Sequence, residues 1–135
     1  MLPANTERQV IDDFSIIPDP HERLAALVAA HGGPGIPDAE RRDADLVPSC
    51  VSRVWLTASV QNSVLHLQWD ADSPLVRGLA GLICRVYESA APATAAAHDT
   101  EVLSALKLDR QLSPTRLNGL TNFGQRIRAL AASLS

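Results

Sequence analysis

The chain has 135 residues, which lies within the usual size of a single domain. Hydrophobic residues make up 46% and charged residues 20%, a composition typical of a globular protein rather than of a disordered or fibrous one. The 12 Lys and Arg against 15 Asp and Glu give a formal net charge of -3, so we expect neither nucleic acid nor an anionic membrane as a main partner. We therefore expect one domain spanning residues 1–135.

The compartment is predicted from features that the sequence lacks. The opening Met1-Leu2-Pro3 has neither the basic start nor the apolar run of a secretory signal. The longest apolar stretches are far shorter than the ~18 residues of a membrane span. Two cysteines, Cys50 and Cys84, are too few for a disulfide framework in a chain of this size. We expect a cytoplasmic protein with no membrane segment.

The first third of the chain predicts two helices. Val10, Ile11 and Phe14 recur at helical spacing within residues 5–14. Asp19-Pro20 then combines an N-cap with a proline at the first helical position, and Gly32-Gly33 ends this second helix. Residues 33–43 read as a connection with one helical turn at 38–42.

The middle third changes to a period of two, which is typical of strands. Alternating apolar residues cover 54–60 and 64–69, and the turn Gln61-Asn62-Ser63 between them predicts an antiparallel hairpin. A short third strand at 44–47 is predicted at the edge, since Pro48 excludes a central position. Cys50 then falls in the connection that enters the main strand, where reactive side chains are often displayed.

The last third predicts helices again. Ser73-Pro74 and Ser113-Pro114 each combine an N-cap with a proline at the first helical position, and a short helix is predicted at 100–108 between them. Because the strands are clustered rather than alternating with helices, the fold class is α+β. We predict a small antiparallel sheet of about three strands packed against several helices.

Motifs with a known chemistry are scarce. The sequence has no Gly-rich phosphate loop, no metalloprotease or hydrolase signature and no paired cysteines, and its four histidines lack metal-ligand spacing. Cys84 falls within an apolar helix, where a free cysteine usually acts as a small hydrophobic side chain. Cys50 is either a buried structural residue or a reactive thiol, and Arg53 is close enough in sequence to supply a cation.

Three segments, taken together, resemble the SufE family of sulfur acceptors. Their order and spacing follow the family's pattern over nearly the whole chain. The segments are Val47-Pro48-Ser49-Cys50-Val51-Ser52-Arg53-Val54-Trp55, Asp70-Ala71-Asp72-Ser73-Pro74-Leu75-Val76-Arg77-Gly78-Leu79 and Leu112-Ser113-Pro114-Thr115-Arg116-Leu117-Asn118-Gly119-Leu120.

This resemblance implies a sulfur carrier and activator rather than an enzyme. In the family, a pyridoxal-phosphate cysteine desulfurase of the SufS or CsdA kind holds sulfur as a persulfide, and the carrier's loop cysteine takes the outer sulfur. The carrier then delivers it for iron–sulfur cluster assembly, to a SufB-like scaffold. Mapped onto this chain, the acceptor is Cys50, with no cofactor or metal of the chain's own. The implied fold is that of SufE and of the IscU scaffold, with the resting thiol in an apolar hollow that raises its pKa.

The resemblance also assigns residues around the acceptor. Ser49, Val51, Ser52 and Arg53 flank it, and three polar residues match family positions near the loop or the docking surface. These three are Asp72, Arg77 and Arg116. The chain departs from the family where Ser49 replaces a glycine, Arg53 replaces a glutamine and Gln111 replaces a histidine, so loop behaviour and choice of partner are affected more than the fold.

Three alternative functions remain open. One is an iron–sulfur scaffold or metal-binding protein on the same fold, although cluster ligation usually needs four ligands. A second is a cysteine hydrolase that pairs Cys50 with His66, which requires the imidazole within about 3 Å of the sulfur. A third is a degenerate SufE-like module that only binds a partner.

Overall fold

The computed structural model describes residues 1–48 and 52–135 of the chain. Within these ranges the elements follow in the order α1 (Pro3–Ser15), α2 (Pro20–His31), β1 (Val54–Gln61), β2 (Val64–Ala71), α3 (Pro74–Tyr87), α4 (Pro92–Ala97), α5 (Val102–Ala105) and α6 (Pro114–Leu134). Short 3-10 turns cover Asp38–Glu40, Asp43–Asp45 and Leu108–Arg110. Helices pack around one antiparallel hairpin, which confirms the α+β class.

Local capping explains where the helices begin. Ser73 Oγ accepts a hydrogen bond from the Val76 amide at 3.4 Å, and Ser113 Oγ accepts one from the Arg116 amide at 3.2 Å. Asp19 caps α2 in the same way through the amide of His21. Each of these helices also has a proline at its first position, where the missing N–H costs nothing. The three helix starts predicted from these signals are confirmed.

The hairpin has the register that alternation predicts. Val54 pairs with Ala71 at the open end, and Gln61 pairs with Val64 at the turn. Asn62 and Ser63 both have positive φ, 53° and 65°, as a two-residue type I′ turn requires. The turn therefore fixes which face of each strand packs on the core.

The predicted strand at 44–47 is wrong. A 3-10 turn occupies Asp43–Asp45, and pairing is limited to one bridge between Leu46 and Trp55 and a 2.8 Å hydrogen bond from the Val47 amide to the Val54 carbonyl. The described sheet thus has two strands instead of about three. Residues 44 and 45 belong to the 3-10 turn, so only residues 46 and 47 are left to pair with β1.

The helical boundaries after the hairpin also differ from prediction. The alanine-rich stretch forms the short helix α4, which the sequence did not predict. The helix expected at 100–108 is split into α5 and a 3-10 turn, because Lys107 adopts a left-handed conformation with φ 61°. Neither segment has a side-chain cap, so neither carries a strong local signal.

The core is centred on α3, whose residues are buried on almost every side. This helix packs against α1, α2, α6 and β2. Gly78 and Gly81 let α2 approach closely, since a Cβ on Gly78 would lie 2.7 Å from Val28 Cα and one on Gly81 would meet the His31 carbonyl. These two glycines therefore permit α2 and α3 to pack in close contact.

Candidate functional site

The predicted acceptor Cys50 lies outside the described residues, as do Ser49 and Val51. The structure does describe the chain on both sides of them. Val47 and Val54 are buried, at 5% and 1% exposure, and the hydrogen bond between their main chains joins the two ends of the segment. The described residues that flank positions 49–51 are therefore packed on the core on either side.

A cavity of about 260 Å³ lies beside Val54, between β1 and the N-terminal half of α6. Its described apolar lining comes from four side chains on three elements: Val54, Val76, Leu120 and Phe123. Its described polar lining consists of Ser52, Ser113, Thr115 and Arg116. A lining of apolar side chains with a few polar groups suits a small side chain that carries a polarizable, ionisable atom.

Ser52 and Arg116 are the predicted site residues that line this cavity, and Arg116 is the charged one of the two. Its backbone N–H donates to the Ser113 cap, so it lies in the first turn of α6, and its side chain is exposed. A cation in a first turn is slightly unfavourable with respect to the helix dipole. An anion at the cavity would benefit from both the guanidinium and the helix terminus.

Arg53 and Asp72 form an ion pair at the open end of the hairpin. Arg53 Nε lies 2.8 Å from Asp72 Oδ2, and the Asp72 amide donates to the Arg53 carbonyl at 3.1 Å. Both side chains are well exposed, at 66% and 42%, so the ion pair itself contributes no more than about 0.2–1 kcal/mol. The arginine that departs from the family pattern is thus paired with another predicted site residue.

A pair of guanidinium groups covers the ring of Trp55. Arg41 Cζ lies 4.7 Å and Arg53 Cζ 5.2 Å from the ring centroid, both within cation–π range. Trp55 itself is 4% exposed. The buried Trp55 ring therefore provides a fixed surface against which the Arg53 guanidinium packs.

Asp70 is a buried carboxylate that the sequence did not identify as a site residue. Its Oδ2 accepts hydrogen bonds from the Ile36 amide at 2.8 Å and from Arg41 Nη2 at 2.7 Å, and its Oδ1 accepts one from the Ala71 amide at 2.8 Å. Burial alone would raise the pKa of Asp70, but these hydrogen bonds outweigh it and hold the pKa below its usual range. The sequence signal was an acidic residue within the alternation of β2.

Arg77 is directed to this carboxylate rather than to the cavity. Its Nη1 lies 3.7 Å from Asp70 Oδ1, and its carbonyl accepts the indole N–H of Trp69 at 3.1 Å. Among the predicted polar residues, Arg53 and Asp72 thus meet each other, Arg116 lines the cavity, and Arg77 supports the buried Asp70.

The described side chains that the hydrolase and scaffold alternatives would require, His66 and Cys84, do not line this cavity. His66 pairs with Ser59 in the hairpin, five residues or about 17 Å along the strand from Val54, and its Nδ1 contacts Glu88 Oε1 at 3.2 Å. Cys84 is 1% exposed within α3, and burial raises the pKa of its thiol well above the usual value. In the described ranges, no three His, Cys, Asp or Glu side chains are grouped as metal ligands would be.

Comparison with known proteins assigns the family. The model of the Fe-S metabolism associated domain, SufE, matches residues 8–131. The chain belongs to the SufE family. Its role therefore lies in sulfur transfer within iron–sulfur metabolism, and the partners of this SufE-family protein belong to the same metabolism.

Relatives of this SufE-family chain agree in sequence and in fold. It is similar to an uncharacterized SufE-like protein of Rhizobium etli, with 30% identity over 126 residues that cover 89% of this chain and 85% of the relative. The solution structure of a hypothetical protein from Thermus thermophilus has the same fold, with a TM-score of 0.78 at 22% identity over 99% of this chain and 98% of the other. Across residues 1–48 and 52–135, none of the helices combines the length and apolar character needed to traverse a bilayer.

Proposed function

We propose that this SufE-family chain accepts sulfur on Cys50 from a pyridoxal-phosphate cysteine desulfurase and delivers it for iron–sulfur cluster assembly. The Cys50 thiolate attacks the outer sulfur of the desulfurase persulfide. A new S–S bond forms at Cys50, the S–S bond of the donor breaks, and the donor cysteine leaves as a thiolate, with no net oxidation. One cysteine on the carrier is sufficient for this exchange.

The observation that carries the proposal is the cavity next to Ser52 in a chain that belongs to the SufE family. The resemblance implies an apolar hollow for the resting thiol, and this cavity has the lining that such a hollow needs. Burial in an apolar hollow raises the pKa of a thiol and keeps it protonated, which protects it from oxidation. Binding of the desulfurase then provides the ionised, reactive form.

The proposed docking surface surrounds the segment that contains the acceptor. It consists of the acceptor's neighbours in sequence and two further polar residues: Ser49, Val51, Ser52, Arg53, Asp72 and Arg116. Arg77 contributes indirectly, through its ion pair with the buried Asp70. The exposed Arg53–Asp72 pair can open at little cost when a partner competes for either charge. We propose a SufS- or CsdA-like desulfurase as donor, a SufB-like scaffold as recipient, and the cytoplasm as the compartment.

The chain would act as carrier and activator and not as an enzyme in its own right. Each transfer removes the persulfide from the desulfurase and frees that enzyme for its next turnover. The scaffold alternative ranks second, because the only other cysteine, Cys84, is in the core.

The test combines desulfurase turnover with intact mass. The protein, its Cys50→Ser variant and its Cys84→Ala variant are each incubated with the host's cysteine desulfurase and free cysteine. We expect faster turnover and an adduct of about 32 Da, the mass of one sulfur atom, for wild type and Cys84→Ala but not for Cys50→Ser. Wild-type protein that neither gains sulfur nor stimulates the desulfurase would exclude the carrier function.

A further inference from the structure

A second cavity, of about 340 Å³, is lined by residues of α2, β2 and α3. Four of its lining residues are buried, namely His31, Leu67, Gly81 and Cys84, and Trp69 also lines it. It shares no described residue with the cavity of about 260 Å³. A cavity of this volume with a largely apolar lining and a few polar groups is typical of a site for a small molecule.

Two side chains of opposite charge line this second cavity, Arg85 on α3 and Glu88 directly after that helix. Oppositely charged residues three positions apart often pair, but these two do not, because Glu88 is directed to β2. Its Oε2 accepts the Leu67 amide at 2.9 Å, and its Oε1 lies 3.2 Å from His66 Nδ1. Arg85 is exposed and makes no hydrogen bond or ion pair within residues 1–48 and 52–135. The cavity therefore presents a positive and a negative group that are not paired with each other.

His31 adds a hydrogen-bond acceptor to this lining. Its Nδ1 lies 2.8 Å from the Leu27 carbonyl, and a carbonyl can only accept, so Nδ1 carries the proton. Burial lowers the pKa of His31, the charge of Arg85 lowers it further, and the hydrogen bond to Leu27 opposes them only in part. The imidazole is therefore neutral at pH 7, and its Nε2 is an acceptor that bonds to no other described residue.

We propose that this second cavity binds a free α-amino acid with a small apolar side chain. The ligand carboxylate pairs with Arg85, whose planar guanidinium suits a carboxylate, and the ligand ammonium group donates to Glu88 and to His31. The apolar side chain packs against Leu67 and Trp69. A simple anion would face Glu88 and a simple cation would face Arg85, whereas a zwitterion complements both charges. Because the two cavities share no described residue, this inference is independent of the proposed sulfur transfer.

The test titrates the isotope-labelled full chain with L-valine and with two analogues that each lack one charge, followed by NMR. Isovalerate lacks the ammonium group, and isobutylamine lacks the carboxylate. We expect L-valine to shift the indole N–H signal of Trp69 and the amide signals of Gly33 and Gly81, which line the cavity. The shifts should saturate with a dissociation constant of about 0.1–1 mM. Each analogue should bind at least about tenfold more weakly, because it leaves one charge of the cavity without its partner.

A matched pair of arginine variants separates this site from general charge effects. Arg85→Gln should keep the fold, since the side chain is exposed and unpaired among the described residues, and should bind L-valine at least about tenfold more weakly. Arg126→Gln removes an exposed arginine of α6 that does not line the cavity, so it should bind as wild type does. Absence of saturable L-valine binding, or equal affinity of Arg85→Gln and wild type, would overturn the inference. Isovalerate or isobutylamine that binds as tightly as L-valine would overturn it too, because one charge would then suffice.

Discussion

Asp70 joins parts of the chain that are distant in sequence. Its carboxylate binds the Ile36 amide and Arg41, which belong to the connection after α2, while Asp70 itself pairs with Trp55 near the open end of the hairpin. The side chain is 3% exposed, so its ion pair with Arg41 is screened little by solvent. The connection between α2 and β1 is therefore held against the sheet by one carboxylate.

We predict that Asp70→Asn lowers the free energy of unfolding by about 2–4 kcal/mol at pH 7, because it leaves buried donors without an anionic acceptor. The difference in the free energy of unfolding between wild type and Asp70→Asn should become smaller at acidic pH. Since the folded pKa of Asp70 lies below its unfolded value, its contribution is present above about pH 4 and is lost as the pH falls through the folded pKa.

Urea unfolding of wild type and variant from pH 7 to pH 2 measures both effects. Asp72→Asn is the matched control, because it removes an exposed carboxylate two residues away and should cost no more than about 1 kcal/mol. Equal losses for the two variants would show that Asp70 does not hold the connection in place.

Close contact between α2 and α3 depends on two glycines of α3. Replacing glycine by alanine in a helix normally stabilises it by about 1 kcal/mol. At Gly81 the new Cβ would meet the His31 carbonyl and would lie 2.8 Å from Trp69 Cζ2. The main chain of α2 cannot rotate out of the way as a side chain could.

We therefore predict that Gly81→Ala lowers the free energy of unfolding by about 1–3 kcal/mol, as expected for overpacking of a core. Gly124→Ala in α6 is the control. Its Cβ would lie 3.7 Å from Ile83 Cγ2, an ordinary contact, so helix propensity should prevail and stabilise the protein by about 0.5–1 kcal/mol. Chemical denaturation of both variants decides the matter, and a stabilised Gly81→Ala would refute the packing argument.

Most elements were predictable because their signals are local. The caps Asp19, Ser73 and Ser113 act within three residues, and the alternation of the hairpin is read directly along the chain. The strand expected at 44–47 failed because one bridge and one hydrogen bond depend on Trp55 and Val54, which come later in the chain. The helix α4 was missed because it has six residues and no side-chain cap.

The candidate site was less predictable from residues alone. The ion pair of Arg53 with Asp72 spans 19 positions, and the cavity is lined by both Ser52 and Arg116, which are 64 positions apart in sequence. Contacts of this kind arise from tertiary packing and have no local pattern. The family resemblance supplied the residues that periodicity could not; it included Asp70 in one of its segments but gave this carboxylate no role.

At the scale of the whole molecule, long-range polar contacts join the first helix to the second half of the chain. Glu7 Oε1 accepts a hydrogen bond from the Thr100 hydroxyl and one from the Glu101 amide at 3.1 Å. Its Oε1 also lies 3.3 Å from His98 Nε2, and the His98 carbonyl accepts the Tyr87 hydroxyl at 2.6 Å. The N-terminal helix α1 is thus held to the second half of the chain by hydrogen bonds as well as by apolar contacts.

We predict that residues 1–135 unfold as one cooperative unit. The calorimetric and van't Hoff enthalpies should agree, and Glu7→Ala should lower Tm by about 3–6 °C without splitting the transition. Asp12→Ala, which removes an exposed acid from the same helix, should leave Tm nearly unchanged. A second transition in either protein would show that the chain contains more than one folding unit.

The stacking over Trp55 has an optical consequence. Indole emission responds to charges near the ring, and Arg53 lies over a ring that β1 holds in place. Arg53 also belongs to the stretch that follows Cys50, so a partner that draws this stretch away from the sheet removes one cation from the indole. The chain therefore carries its own fluorescent reporter, and docking can be titrated in real time without a dye.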